Sequence, residues 1–189
     1  SGDWSSDVCS SDLVERGLIV VTGPSASVRV YMSNTDSVAT STFSVNDGLP
    51  VYAGATAING VPRTAARVQL DFADIAGGSC GALLPTGSAV DQIDGIAVTM
   101  VDNGMPVVVM RATDLGITGT ETPDKLDSND ALRARLESIR LQAGQLMGLG
   151  DVTETTVPKL TMVSPPTGDG DLSTRTFIPH RCHEAIGVL

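Results

Sequence analysis

Two short stretches of this chain carry residue types able to do chemistry. The first is Pro179-His180-Arg181-Cys182-His183-Glu184. Both histidines lie here, three positions apart, with Arg181 and Cys182 between them. Proline is accepted in the first turn of a helix. The stretch therefore reads as a helix start, with His180 and Arg181 at its N-terminus. Unpaired N–H groups and the helix dipole favour an anion there, and a carboxylate is the simplest ligand. His180, His183 and Glu184 are also metal-ligand types. Their spacing matches neither an i, i+4 histidine pair nor a cysteine-rich zinc site, so no metal is expected. The plain alternative is that these histidines only cap and pack.

The second stretch is Gly77-Gly78-Ser79-Cys80-Gly81. Adjacent glycines let a backbone approach a ligand or another strand closely. It sits inside the longer segment 71–87, which ends in Leu83-Leu84-Pro85-Thr86-Gly87 and reads as a structured crossover with one side on a cleft. A buried connection is the plain alternative. Cys80 and Cys182 are candidate nucleophiles or bases only if their thiols ionise easily, which needs cationic neighbours or a helix N-terminus. Cys182 has such neighbours in sequence and Cys80 does not. Both read as buried, inert thiols. No phosphate-binding loop, dinucleotide fingerprint or serine-nucleophile elbow is present.

The elements that must position these stretches are mostly strands. Gly17–Thr22 is a short apolar run. Ser27–Ser33 and Val38–Val45 alternate, the latter closed by Asn46-Asp47-Gly48, and Pro50–Ala53 is a short edge. Ala65–Phe72 places Val68, Leu70 and Phe72 inward. Ile96–Val101, the turn Asp102-Asn103-Gly104 and the apolar Pro106–Arg111 form a hairpin, with the second strand buried on both faces. One long helix follows, capped by Asp127 or Ser128 and ended by Gly148 or Gly150. Leu132, Leu136, Ile139, Ala143 and Leu146 form its apolar stripe, and Arg133, Arg135, Glu137 and Arg140 face away. Lys159–Ser164 and Leu172–Ile178 are the last strands. Alternating patterns of this kind suit antiparallel sheets with one wetted face.

Composition agrees. The chain has 189 residues and is 41% hydrophobic, so it can bury a real core, yet only 3% is aromatic. Aliphatic side chains and methionine must fill that core. A net charge of −10 argues against a nucleic-acid partner. No apolar run spans a bilayer and no secretory leader is legible. Three widely spaced cysteines make no disulfide framework, which points to a reducing cytoplasm. Residues 1–13 lack periodicity and read as a leader. Residues 2–13 resemble a translated sequencing adapter, which removes Cys9 from consideration. The ending Gly187-Val188-Leu189 has no polar stop and reads as cut short.

Several ordered motifs together resemble one family. They are Gly60-Val61-Pro62-Arg63-Thr64-Ala65, Leu70-Asp71-Phe72, the 77–87 stretch and Asp102-Asn103-Gly104-Met105-Pro106-Val107-Val108. Asp114-Leu115-Gly116-Ile117-Thr118-Gly119 and Thr176-Phe177-Ile178-Pro179-His180-Arg181-Cys182-His183 complete the set. Over nearly all of 14–189 the chain resembles the PrpF-like family, most closely its 4-oxalomesaconate tautomerases of aromatic catabolism. That resemblance implies an α/β (α+β), diaminopimelate-epimerase-like fold. Two similar halves each wrap a curled, mostly antiparallel sheet around a central helix. The expected division is a leader over 1–13, the remainder of a first domain over 14–88 and an incomplete second domain over 89–189.

The resemblance also implies cofactor-independent proton transfer on an unsaturated keto/enol tricarboxylate such as 4-oxalomesaconate, performed by a lysine and a cysteine of the first half. Those positions are expected upstream of Val14, so no catalytic residue is assigned in this sequence and the fragment is expected to be inactive. Substrate binding is carried over to Gly77, Gly78 and Ser79 along the cleft, and to His180 and Arg181 at the central-helix N-terminus. Relatives often carry lysine where Ala82 stands, which leaves that loop's role open. A small di- or tricarboxylate is the expected partner, with a homodimer left open. A 2-methylaconitate or methylitaconate isomerase of the same family, or a non-catalytic carboxylate-binding module, are the alternatives.

Overall fold

The computed structural model describes residues 6–33 and 37–185, with 6–9 as backbone only. The chain forms two compact units, Ser1–Ile75 and Ala76–Leu189. In the first, α1 (Ser6–Glu15) precedes β1 (Ser25–Met32), β2 (Ser37–Asn46), β3 (Leu49–Pro50) and β4 (Val68–Ala73). β1 and β4 both pair antiparallel with β2. β3 folds back on the end of β2 through Asp47-Gly48, whose φ values of 51° and 79° are both positive. A two-residue hairpin turn of that hand matches strand twist, which is why Asp-Gly occurs there. Val14, Ala26, Val28, Phe43 and Val45 form this unit's core.

Three expectations change here. Residues 6–13, read as an irregular leader, lie within α1, which carries Val14 into the core. Gly17–Thr22 is not a strand: Gly17 reverses the chain just after α1 with φ of 69°, and Val20 is 84% exposed. Val68 was expected inward but is exposed, while Leu70 and Phe72 are half-buried. The core is drawn from α1, β1 and β2, so β4 has little to pack against on that face.

The second unit is a five-stranded sheet in the order β5 (Asp91–Ile93), β6 (Ile96–Asp102), β7 (Pro106–Arg111), β8 (Lys159–Ser164), β9 (Ser173–Phe177). Every pairing is antiparallel except β7 with β8. A parallel pair needs a long crossover. Here it contains a 3₁₀ turn (Ala112–Leu115), α2 (Pro123–Asp127) and α3 (Asp130–Leu146). Leu132, Leu136, Ile139 and Ala143 of α3 join one core with Val98, Met100, Val108, Met110, Leu160 and Met162 of the sheet. β7 is buried on that face and only half-buried on the other, so it is not doubly covered.

The helix differs from its sequence reading in detail. Its cap is Asn129, whose side chain accepts a 3.0 Å bond from the Leu132 N–H, and it ends before Gly148, with φ of 76°. Leu146 is 51% exposed, and Met147 takes the buried place. Arg140, expected on the wet face, is 0% exposed. It stands four residues after Leu136 and three before Ala143, so the helical period carries it into the packed side. Burial of a guanidinium requires partners. Arg140 Nη1 reaches the carbonyls of Val152, Thr155 and Val157 at 2.8, 3.2 and 3.3 Å. Nε and Nη2 form a fork on the Glu137 carboxylate, both at 2.8 Å.

Candidate functional site

Both stretches singled out by the sequence lie in the second unit. The glycine loop is built on the end of β6. Strand alternation buries Ile96, Val98, Met100 and then Asp102 on one face. The last of these is a carboxylate with 0% exposure, so its charge must be answered locally. The loop answers it. The Ser79 and Cys80 N–H groups donate to Asp102 Oδ2 at 2.7 and 2.6 Å. Gly77 N–H donates to the Asp102 carbonyl at 2.8 Å, and Asp102 N–H to the Leu83 carbonyl at 2.9 Å. Gly81 N–H closes the loop on the Gly77 carbonyl at 2.7 Å. Gly77 has φ of 76°, and a Cβ on it would lie 2.5 Å from the Ala82 nitrogen, so only glycine fits.

Successive backbone N–H groups curled in this way form an anion-binding concavity. Here the protein's own carboxylate fills it. Gly78 and Ser79 are exposed, and among the described residues neither the Gly78 N–H nor the Ser79 hydroxyl has a hydrogen-bond partner. Those two donors are what the loop offers to an outside ligand.

The 179–185 segment is not a helix. Phe177 bridges to Cys182, Ile178 N–H bonds the Arg181 carbonyl at 2.9 Å, and His183 N–H bonds the Thr176 carbonyl at 2.7 Å. The chain thus turns back on β9, with Pro179 and His180 at the tip of the turn. Proline suits a turn as well as a helix start, and the pairing to β9 decides between them. The expected helix N-terminus at His180 and Arg181 is therefore absent among the described residues; residues 186–189 lie outside them.

Arg181 and His180 each lie beside an acid. Arg181 Nε is 3.6 Å from Asp127 Oδ2 and is largely exposed, while Asp127 Oδ1 takes the Cys182 N–H at 2.7 Å. His180 Nδ1 is 3.7 Å from Glu137 Oε2, the carboxylate gripped by Arg140. Arg140's hydrogen bonds hold the Glu137 carboxyl below its ordinary value. Beside this pair opens a groove of about 270 Å³, lined by Arg133, Leu136, Glu137, Phe177, Pro179 and His180 among others. Its lining joins apolar Leu136, Phe177 and Pro179 with two acids, Asp130 and Glu137, and with Arg133 and His180.

The thiols offer no base. Burial pushes Cys80 up to about 11, helped by the negative charge of Asp102. Burial likewise pushes Cys182 up to about 11. No group of three or more metal-ligating side chains occurs among the described residues. Among them, too, no helix is long and apolar enough to cross a membrane. Asp102, Asp127 and Glu137 were not singled out as site residues in the sequence. Only Asp102 had a signal: it continues the buried parity of β6.

The chain is 53% identical to the (4E)-oxalomesaconate Delta-isomerase of Novosphingobium sp. over 176 residues, 93% of this chain and 49% of that protein. It is 51% identical to the 4-oxalomesaconate tautomerase of Pseudomonas putida over 175 residues, 93% of this chain and 48% of the relative. The crystal structure of methylitaconate-delta-isomerase superimposes with a TM-score of 0.82 at 29% identity, covering 95% of this chain and 52% of that one. The fold is the expected diaminopimelate-epimerase-like α/β architecture. The chain spans about half the length of the curated relatives it matches. The family model described as PrpF protein matches residues 1–189, and with that match and these identities the chain belongs to the PrpF family.

Proposed function

We propose that this chain is part of a cofactor-independent isomerase that moves a proton on an unsaturated keto/enol tricarboxylate, 4-oxalomesaconate or a close analogue. The observation that carries the reading is its identity of 53% and 51% to two relatives whose names specify oxalomesaconate. The chemistry of the second unit supports it. A tricarboxylate needs several donors at fixed places. Gly78 N–H and the Ser79 hydroxyl supply neutral ones, with the Gly77 turn holding them. Arg181 supplies a cationic one and His180 a ring nitrogen, released from Asp127 and Glu137 when a ligand carboxylate competes. The proton-transfer groups are not assigned to this chain, because both described thiols stay protonated at neutral pH. The same unpaired thiols suit a reducing cytoplasm.

Calorimetry of the chain with 4-oxalomesaconate tests this. Saturable one-to-one binding, weakened about tenfold in His180→Ala, is expected, about 1.4 kcal/mol. No heat beyond dilution overturns the reading. A second reading, a methylitaconate-type substrate, is favoured by the structural match to methylitaconate-delta-isomerase. Parallel titration with methylitaconate separates the two. Ultraviolet spectroscopy of keto–enol conversion, with a protein of the relatives' full length that includes this chain, then tests the reaction itself.

A further inference from the structure

The Asp102 carboxylate is spent on the glycine loop in a way the proposed substrate site does not explain. It is fully buried, and Oδ2 takes both the Ser79 and Cys80 amides. Oδ1 is equally buried and has no protein partner among the described residues. Burial, and then the negative charge of the same carboxylate, raise the Cys80 thiol. A carboxylate oxygen without a donor in a dry site is costly, of the order of 1–3 kcal/mol.

We propose that Asp102 is a positioning residue for carboxylate recognition by the glycine loop. It fills the loop's own ring of N–H donors and holds Gly78 N–H and the Ser79 hydroxyl toward solvent. The loop is thereby pre-formed around an internal anion rather than assembled by the ligand. Without that internal anion, the Ser79 and Cys80 amides would turn toward whatever anion arrived, and the outward pair would lose its fixed geometry. The inference rests on the substrate class proposed above.

Two readouts test it on the 189-residue chain. The first is the pH profile of Cys80 alkylation by iodoacetamide, followed by peptide mass spectrometry. In the wild type its midpoint is expected near 11. In Asp102→Asn the charge is gone and one oxygen becomes a donor, so the midpoint should fall by about one unit, a tenfold gain in rate at pH 8.5. The second is calorimetry with tricarballylate, a stable tricarboxylate, where Asp102→Asn should bind about tenfold more weakly. An unchanged Cys80 profile overturns the proposal, and so does a shifted profile with unchanged affinity.

If Asp102→Asn does not fold, amide hydrogen exchange of the wild type decides. Ser79 and Cys80 should be protected at least a hundredfold more than Gly78, and equal exchange of the three overturns the proposal. Absence of tricarballylate and 4-oxalomesaconate binding in the wild type overturns the recognition role together with the substrate reading. The Cys80 profile then shows whether the loop arrangement itself was at fault.

Discussion

Arg140 offers the sharpest test of how the second unit is held together. Its guanidinium is wholly buried and makes five hydrogen bonds, two to Glu137 and three to carbonyls of the 152–157 segment. Truncation to alanine removes a buried guanidinium but leaves Glu137, 30% exposed and able to hydrate, so the cost should fall at the low end of the about 3–5 kcal/mol typical of a broken buried pair. The carbonyls share that loss unequally. Val152 keeps the Thr155 N–H, and the single Thr155 hydroxyl hydrogen serves Val157. Thr155's carbonyl loses its protein donor, but Thr155 is exposed, so water can replace that donor at little cost.

Arg140→Met keeps most of the stem volume and should cost less, about 2–3 kcal/mol, since no large cavity forms. Urea unfolding, with hydrogen exchange locating the loss in α3 and β8, measures both. Glu137 supplies an internal check. Its folded-state pKa is depressed, so the pair's stabilisation is present above the ordinary carboxyl value and is lost as pH falls through the folded one. The difference between wild type and Arg140→Met should therefore shrink below about pH 4. A cost for Arg140→Ala under about 1 kcal/mol would refute the reasoning, because buried bonds that matter cannot be removed so cheaply.

Three other outcomes follow from single contacts. Gly144→Ala should destabilise by about 1–3 kcal/mol in thermal unfolding despite a better helix propensity, because the new Cβ would lie 2.5 Å from Val152 Cγ2; a stabilised variant would contradict this. Asn129→Ala should cost about 0.5–2 kcal/mol in the same assay by removing the cap on Leu132. Cys182, raised to about 11, keeps its neutral form in the fold, so its contribution is whole below the ordinary thiol range and is lost as pH rises toward 11. The slope is up to about 1.4 kcal/mol per pH unit, and Cys182→Ala should flatten it in urea unfolding at pH 8, 9 and 10.

Strands with clean alternation were legible. β1, β2, β6, β7 and β8 fall close to where Val/Ile/Met periodicity puts them, and the stripe from Leu132 to Ala143 marks α3. β5 was not read as a strand, although Asp94-Gly95, with both φ values positive, carries the same hairpin chemistry as Asp47-Gly48. The 179–185 turn was misread because proline and a polar run serve a helix start or a reverse turn equally well, and only pairing with Phe177 and Thr176 decides. Arg140 was misplaced because residue type outweighed position: its phase on the helix is buried, and the carbonyls that make burial tolerable come from a segment 12 to 17 residues away. At the glycine loop, the glycines signalled a close approach but could not show that the approaching group is Asp102, 22 residues later.

The strand order of the second unit also dictates how it folds. β5 to β9 lie in the sheet in the order they leave the ribosome. The β5–β6 and β6–β7 hairpins close over a few residues and can form in microseconds. The parallel docking of β8 on β7 must instead close the whole 112–158 segment. Relative to a three-residue turn, that closure costs about 2–3 kcal/mol more in chain entropy. α3 shortens the effective loop by winding most of that segment before docking. Changes within α3 or at the β7–β8 seam should therefore slow refolding, whereas changes in the outer strand β5 should mainly hasten unfolding.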